Sequence, residues 1–345
     1  MKITTVGIDL AKNVFQVHGV DERGKTVLKK QLKRQQVLGF FSNMPPCLIG
    51  MEACGGAHFW ARRLQAQGHS VRLMAPQFVK PYVKGNKHDA ADAEAICEAV
   101  SRPSMRFVPI KNLEQQSVLT LHRARHGFIG ERTALANRIR GLLAEYGLII
   151  PQGIHHVARR VPQMLEDASN ELTDPVRALL ARLLEHLKEL DRQAKQIEAE
   201  IIGWHRQNAL SRKLEAVPGV GPITASALVA TVEDAKNFRN GRHLAAWLGL
   251  VPKQESSGGK TVLLGSSKCG DAYLRTLLIH GARSVLWAAQ RRKVPADRWV
   301  QGLLDRRPTN IAAVAMANKN ARILWALLAK DRHYDASHVS MPVTA

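Results

Sequence analysis

Long apolar runs and paired cysteines are both missing from this sequence. No stretch reaches the roughly 18 uninterrupted apolar residues that a membrane-spanning helix needs. The opening MKITTVGIDLAK has no apolar segment of the kind found in secretion signals. The four cysteines form no Cys-x-x-Cys pair and no zinc-type spacing. We therefore expect a cytoplasmic protein with reduced, mostly buried thiols, and neither a membrane nor a secreted protein.

Acidic residues are also few, since 29 Asp and Glu face 50 Lys and Arg, which gives a net charge of +21. Such an excess indicates a polyanionic partner, with nucleic acid as the first candidate and an anionic membrane surface as the second. The net charge is about +8 over residues 1–110, +2 over 111–210 and +11 over 211–345. Aromatic residues make up only 5%, so base stacking is not expected to dominate binding.

The length of 345 residues allows two or three domains. Residues 3–9, 14–20 and 26–32 alternate in the manner of three antiparallel strands, and 47–52 and 70–75 add buried strands separated by helices. We predict an α/β domain with a mixed sheet over residues 1–150. A helical spacer would follow over 151–210, and a mainly helical C-terminal domain over 211–335.

Two long helices are predicted in the middle of the chain, from about residue 112 to 146 and from about residue 173. In the second, apolar residues recur in a heptad-like seam through Leu179, Leu183, Leu187 and Leu190. This seam fits a helix packed within its own domain and a coiled coil with a partner chain equally well.

Four carboxylates in the first domain are candidates for a metal site. Asp9 and Glu52 each end a predicted strand, and parallel neighbours would bring both to one edge of the sheet. Asp89 and Asp92 lie three residues apart at a helix start, on one face. Converging acids repel unless a cation lies between them, and hard oxygen ligands suit Mg²⁺ or Mn²⁺. Two such ions can hold both oxygens exchanged at a phosphodiester.

Each of these acids has an ordinary explanation when it is taken alone. Asp9 could be a turn residue, Glu52 an ion-paired carboxylate, and Asp89 or Asp92 a helix cap. The segment GIDLAK also resembles the first phosphate loop of actin-like ATPases. That family needs a second acidic loop and a glycine-rich adenosine loop, and neither is found.

The segment LEAVPGVGPITASALVA, residues 214–230, resembles a helix–hairpin–helix. Gly219 and Gly221 permit a tight turn around Val220, since glycine lacks the Cβ that disfavours positive φ. The backbone amides at such a turn can hold a DNA phosphate without reading bases. A glycine-rich turn with no ligand is the alternative.

A small, basic loop over residues 253–268 contains several serines. Lys260 and Lys268, together with Arg275 in the helix that follows, could neutralise a phosphate. Serines in such loops are usually turn or cap residues. Composition alone does not make any of them a nucleophile, which needs an activating group.

These motifs in this order resemble the insertion-sequence-110-type DEDD transposases, and most closely their 1111 subgroup. The resemblance rests on GIDLAK, MEACGG, KHDAADAEAI, VPGVGPITASAL, LGLVPKQESSGGK and GSSKCGDAYLRTLLIHGAR, and it covers roughly residues 3–330. It implies a RuvC-like, ribonuclease-H-type first domain, a coiled-coil spacer and a C-terminal transposase domain.

The resemblance also implies roles for particular residues. Asp9, Glu52, Asp89 and Asp92 would be the Mg²⁺-binding tetrad. Ser257, or its neighbour Ser256, would be the nucleophile that forms a transient phosphoserine link to DNA. Expected partners are donor and target DNA, a structured non-coding bridge RNA, and further copies of the chain in a dimer or tetramer. In such an assembly the serine of one copy could complete the acid cluster of another. The expected location is the cytoplasm, in association with the nucleoid.

Two other classes of function are compatible with the same residues. A RuvC-like nuclease without strand transfer would need the tetrad but not Ser257. A non-catalytic nucleic-acid-binding protein would need neither. Replacement of Ser257 or Asp9 distinguishes these classes, because each class of function predicts a different loss of activity.

Overall fold

The computed structural model describes residues 2–84, 88–232, 234–292 and 298–337. The chain forms two compact units, of which the first ends at Glu114 and the second begins at Gln115. No helix in the described ranges is both long and apolar enough to cross a membrane.

The first unit is built on one six-stranded sheet with helices on its faces. The strands are β1 Thr5–Asp9, β2 Val14–Val20, β3 Thr26–Lys33, β4 Leu48–Glu52, β5 Ser70–Met74 and β6 Phe107–Val108. The helices are α1 Val37–Ser42, α2 Ala57–Gln65, α3 Pro76–Val79 and α4 Asp89–Val100. The order along the sheet is β3-β2-β1-β4-β5-β6.

The sheet is mixed, as the sequence predicted. β1, β2 and β3 pair antiparallel, whereas β1, β4 and β5 pair parallel, and β6 is antiparallel to β5. The predicted meander is therefore present, and the parallel strands follow from helical crossovers between β3 and β4 and between β4 and β5. The short strand β6 was not predicted, because two residues carry too little pattern to be recognised.

Alternating side chains divide the sheet between two layers. Val6, Ile8, Phe15 and Val17 form the core on one face, together with residues of α1 and α2. Helix α4 packs against β1, β2 and β4. The acidic residues at the strand ends belong to the face that carries α4.

The second unit is mainly helical. Its helices are α5 Leu113–Ala144, which starts just before the unit boundary, α6 Ile154–Glu166, α7 Asp174–Gln207, α8 Ala209–Glu215, α9 Pro222–Val232, α10 Gly241–Trp247, α11 Ala272–Arg292, α12 Arg298–Leu304 and α13 Thr309–Ala329. Its only two strands in the described ranges, β7 Pro252–Gln254 and β8 Leu263–Ser266, form an antiparallel hairpin.

The apolar seam of α7 packs within this chain. Leu180, Leu184, Leu187 and Leu190 are buried in a cluster with residues of α5 and α6. In the first half of the seam each buried leucine lies one position after the predicted one. Leucines stand in adjacent pairs there, and either member of a pair continues the pattern. A coiled coil with a second copy of the chain stays a prediction.

Helices α8 to α13 enclose the largest apolar core. A buried polar site lies beside it, where His122 of α5 is only 1% exposed. Its Nε2 is 3.1 Å from the Ser226 hydroxyl of α9, and its Nδ1 is 3.0 Å from the Tyr273 hydroxyl of α11. The Ser226 hydroxyl donates to the Pro222 carbonyl at 2.7 Å, so it accepts from a neutral His122 protonated on Nε2. Three helices are thereby joined.

The domain boundaries predicted at residues 150 and 210 divide the chain by expected function, and they stay predictions. Among the four cysteines, Cys47 and Cys97 are buried while Cys54 and Cys269 are exposed, and all are free thiols. The expectation of mostly buried thiols is therefore met for two of them.

Candidate active site

Two of the predicted site residues end neighbouring parallel strands. Ile8 of β1 pairs with Met51 of β4, and Asp9 and Glu52 are the next residues of their strands. Paired residues on adjacent strands project to the same face. The carboxylates of Asp9 and Glu52 therefore leave the sheet side by side at one edge, as the sequence predicted.

Two glycines determine how closely α4 approaches these strands. Gly7 pairs with Gly50, each two residues before an acid and on the same face. A Cβ on Gly7 would lie 2.2 Å from the Ala93 carbonyl oxygen, and one on Gly50 would lie 2.7 Å from Cβ of Val100. Neither glycine was predicted to belong to the site, although the repeated pattern Gly-x-Asp and Gly-x-Glu marks them.

Helix α4 brings the other two acids to the strand ends. Its N-cap is His88, whose Nδ1 accepts from the Ala90 amide at 3.1 Å. Asp89 and Asp92 therefore lie in the first turn and do not serve as the cap. Negative charge at this end of a helix is favoured by the helix dipole, which offsets part of the repulsion between the acids.

Three of the four acids form one cluster. Asp9, Asp89 and Asp92 each place a carboxylate oxygen within 4.8 Å of the other two. Asp9 and Asp92 are half-buried, and Asp89 is exposed. Within the described ranges Glu52 lies outside this 4.8 Å group, but the charges of Asp9 and Asp92 act on it.

Burial raises the pKa of Glu52 above its ordinary value, and the negative charges of Asp9 and Asp92 raise it further. Cys54 is exposed as a residue, but its thiol is partly shielded from water, and this desolvation raises the thiol pKa first, followed by the charge of Glu52. These shifts indicate an excess of negative charge at the edge of the sheet.

The donor set of this cluster fits a divalent cation. It consists of carboxylate oxygens at the end of β1 and in the first turn of α4, close enough for one ion to contact several of them. Hard oxygen ligands of this kind are preferred by Mg²⁺ and Mn²⁺. Asp9, Asp89 and Asp92 are the residues that could hold the ion, with Glu52 beside them.

The serine-rich loop is a β-hairpin with a two-residue turn. The Lys260 amide donates to the Ser257 carbonyl at 3.0 Å, and Gly258 and Gly259 between them have φ of 56° and 78°. Two consecutive positive φ values are typical of a type I′ turn, which glycine favours. Ser257 is exposed at the tip, whereas the hydroxyl of Ser256 accepts from Gln254 at 2.9 Å.

The three predicted phosphate-neutralising cations lie in different surroundings. Lys260 is exposed in the hairpin turn. Lys268 is exposed too, with a φ of 53° that is unusual for a residue with a side chain. The guanidinium of Arg275 donates to the Leu248 carbonyl at 3.1 Å and to the Cys269 carbonyl at 2.8 Å. Arg275 thus joins α11 to two loop segments, and its contact with phosphate stays a prediction.

Helices α8 and α9 are joined by the predicted glycine-containing turn. Gly219 has a φ of 83°, and a Cβ there would lie 2.7 Å from the Gly281 carbonyl oxygen of α11. Val220 is buried and its amide donates to the Val217 carbonyl, while Gly221 is exposed. The turn is therefore packed against α11 on one side, and phosphate binding on its exposed side stays a prediction.

Comparison with known proteins adds evidence over both units. A family profile for transposases of the IS110 DEDD type matches residues 6–148. A second profile, described as the transposase IS116/IS110/IS902 family, matches residues 211–296. The first match contains all four acids, and the second contains the turn after α8 and the serine hairpin.

Several curated proteins are similar to this chain over nearly its whole length. A probable family 20 transposase of Pseudomonas aeruginosa is 53% identical, over 97% of this chain and 99% of the relative. The transposase for insertion sequence element IS1111A of Coxiella burnetii is 43% identical, over 96% and 91%. The transposase for element IS1328 of Yersinia enterocolitica is 42% identical, over 94% and 96%.

Proposed function

This chain belongs to the IS110/IS116 family of DEDD transposases, and we propose that it cuts and rejoins DNA by a serine attack that a divalent cation assists. The cut and rejoined DNA would be the donor and target of its own insertion sequence. The observation that supports this most directly is the carboxylate cluster of Asp9, Asp89 and Asp92, with Glu52 at its side.

In this proposal Asp9, Glu52, Asp89 and Asp92 would hold the cation that assists the reaction at a DNA phosphate. A bound divalent ion supplies stabilisation of the charge that develops on the attacking and leaving oxygens. The chain's own contribution is to fix four oxygen ligands on a rigid sheet and a closely packed helix. Mg²⁺ is the expected ion, and Mn²⁺ satisfies the same ligands.

Ser257 is the proposed nucleophile. Its Oγ forms a bond to phosphorus while the phosphorus–oxygen bond to the deoxyribose breaks. The hydroxyl proton leaves Ser257, and the departing deoxyribose oxygen takes up a proton. A DNA hydroxyl then attacks the phosphoserine, which restores the serine and rejoins the strand. The exposed position of Ser257 at a hairpin tip supports this role, because a nucleophile must reach the DNA.

Guidance by a structured bridge RNA and assembly into a dimer or tetramer are further parts of the proposal. The supporting observation is the net charge of +21, of which about +11 lies in residues 211–345. Purification of the chain with its bound nucleic acid, followed by sequencing, tests this part. One discrete RNA encoded by the element supports guidance, and a random mixture of cellular RNA contradicts it.

Two substitutions test the chemical part. In the proposed mechanism Asp9→Asn abolishes cutting, because the cation site is lost. Ser257→Ala abolishes strand joining and the covalent protein–DNA adduct, whereas Ser256→Ala, as the matched control, preserves both. Intact cutting by Ser257→Ala would instead indicate a hydrolytic nuclease. Unchanged DNA processing by Asp9→Asn would overturn the proposal altogether.

A further inference from the structure

A row of side chains leads away from the carboxylate cluster across the sheet. Asp9 of β1 pairs with Gln16 of β2, and Gln16 pairs with Gln31 of β3. Paired residues on neighbouring strands share a face, and the strands lie about 4.8 Å apart. Gln16 therefore stands next to Asp9, and Gln31 follows roughly 10 Å from it.

This row lies in a groove between the β2–β3 hairpin and α4. The groove has a volume of about 180 Å³ and is lined by Gln16, Val17, Lys29, Lys30, Gln31 and, from the first turns of α4, Ala90 and Ala93, with His18 at its base. Because alanine side chains are short, α4 leaves this side of the groove open. The groove is thus polar on the strand side and opens next to the proposed cation site.

The charge of the groove comes from lysines on its outer strand. Lys29 and Lys33 flank Gln31 at two-residue spacing, so all three share one face. Lys29 makes only a loose ion pair with Glu94 at 3.9 Å, and both side chains are largely exposed. His18 at the base is buried, and burial lowers its pKa, which disfavours a positive charge on the imidazole.

Edge-strand protection explains only part of this arrangement. Lysines on an edge strand prevent pairing with other chains, and β3 is the edge strand here. Gln16, however, lies on β2, an inner strand whose neighbouring residues Phe15 and Val17 are buried on the opposite face. Among the described residues no hydrogen-bond partner is found for the side-chain amide of Gln16.

We propose that Gln16, Gln31, Lys29 and Lys33 bind the sugar–phosphate backbone of the DNA strand on one side of the scissile phosphate. Glutamine amides and lysine ammonium groups are common donors to phosphate oxygens, and such contacts fix register without reading sequence. The described residues that line the groove include no Phe, Tyr or Trp on which bases could stack. This inference rests on the proposed function, since it identifies residues that bind the DNA substrate next to the same site.

The full-length chain tests the inference with a matched pair on one strand. Lys29 and Lys30 are adjacent and carry the same charge, but Lys30 points to the opposite face, where its ammonium lies 4.9 Å from the ring centroid of Phe40. We expect Lys29→Ala to weaken cutting of a labelled duplex that carries one end of the element. Lys30→Ala should cut like the wild type.

The amides are tested by Gln16→Ala/Gln31→Ala, with exposed Gln35→Ala as control. We expect the double variant to raise the DNA concentration for half-maximal single-turnover cutting by roughly 10-fold or more, because each lost bond reaches a charged oxygen. Its maximal rate should change less. Mn²⁺ binding, followed by electron paramagnetic resonance, and the melting temperature should match the wild type, which separates DNA positioning from a structural role.

The DNA side provides an independent readout. Once the wild-type cut is mapped, a neutral methylphosphonate replaces each phosphate next to it in turn. We expect one flanking replacement to slow the wild type and to have no further effect in the Lys29→Ala/Lys33→Ala variant. Equal sensitivity of wild type and variant at every position overturns the inference.

The two proposals fail in different ways. If Asp9→Asn is inactive while Gln16→Ala/Gln31→Ala and Lys29→Ala cut normally, the groove assignment is wrong and the cation site stands. If Asp9→Asn still cuts, the proposed function is wrong. The groove is then judged by fluorescence anisotropy with a fluorescein-labelled 20-nucleotide single-stranded DNA: weaker binding by Lys29→Ala than by Lys30→Ala supports it, and equal binding overturns it.

Discussion

Gly7 and Gly50 face each other across parallel strands β1 and β4, and α4 occupies the space that their side chains would fill. The same helix carries two acids of the proposed cation site, and each glycine stands two residues before another acid. The packing of the fold and the geometry of the site therefore depend on the same pair of residues.

Replacement of Gly7 by alanine should separate α4 from the sheet. The new Cβ would meet backbone atoms of α4 at 2.2 and 2.4 Å, which cannot move without shifting the helix. We expect a loss of at least about 3 kcal/mol in the free energy of unfolding and weaker Mn²⁺ binding. Gly39→Ala, in an open position of α1, should be neutral or up to about 1 kcal/mol more stable. Urea denaturation of both variants provides the measurement, and equal effects would contradict this account.

The stability of the metal-free protein should depend on pH through Glu52. In the folded state the pKa of Glu52 is raised above its ordinary value of 4.5, so the protonated form of Glu52 favours folding. This contribution is fully present below pH 4.5 and is lost as the pH rises through the raised pKa. Asp9→Asn removes one of the repelling charges and should reduce the loss.

Melting temperatures in EDTA between pH 4 and pH 7 measure this effect. The advantage of Asp9→Asn over the wild type should grow as the pH rises, and Mg²⁺ should raise the melting temperature of the wild type more than that of the variant. The exposed acid Glu22 supplies the control, since Glu22→Gln should show no such trend. A difference that is constant with pH would exclude the charge explanation.

His122 should make the second unit sensitive to acid. Burial, followed by the charge of Arg125, lowers its pKa from 6.5 to about 4, so the neutral imidazole favours folding. That contribution is complete above pH 6.5 and is lost as the pH falls toward 4, by roughly 3 kcal/mol at most. We expect His122→Gln to lose less stability than the wild type between pH 7 and pH 5 in urea denaturation. Parallel pH profiles would show that another group is responsible.

The hairpin turn should determine the position of the proposed nucleophile without determining the stability of the fold. Gly258 and Gly259 have positive φ and no atoms near an added Cβ, so alanine there strains the backbone but meets no neighbour. We expect Gly258→Ala/Gly259→Ala to reduce the covalent DNA adduct by about 10-fold or more with little change in melting temperature. Gly265→Ala, in β8 with ordinary φ, is the matched control, and an equal reduction by it would point away from the turn.

Salt should weaken nucleic-acid binding steeply. A chain with a net charge of +21 displaces counterions from DNA, so the logarithm of its affinity falls linearly with the logarithm of salt concentration. We expect a loss of about 10³-fold or more between 50 and 200 mM salt, measured by anisotropy with a labelled duplex. A flat response would show that phosphate contacts contribute little.

Much of the first unit could be predicted from the sequence because its strands carry clear alternation. The acids at the ends of β1 and β4 follow from that pattern together with the parallel connection. The distance of α4 from the sheet could not be predicted in the same way, because it depends on a tertiary contact of two glycines. Gln16 and Gln31 were missed for a related reason, since only the register of β2 and β3 brings them into line with Asp9.

The second unit shows where periodicity alone is insufficient. Paired leucines in α7 allow two registers, and only packing against α5 and α6 selects Leu180 and Leu184. Helix α6 lies between the two predicted long helices and was not predicted, and Pro162 inside it is a residue that usually interrupts a helix. The link between His122, Ser226 and Tyr273 joins residues up to 151 positions apart, which no local pattern reveals.

The two-residue turn of the β7–β8 hairpin limits how this transposase can be altered by insertion or deletion. Between the turn and the register shift that lies beyond the Gln254–Leu263 pair, side chains alternate along both arms. Adding one residue to either arm there would therefore rotate Ser257 to the other face of the ribbon. Changes of two residues would preserve its orientation while moving it along the hairpin by roughly 7 Å. Natural or engineered variants with a different reach should therefore differ in length by even numbers of residues in each arm.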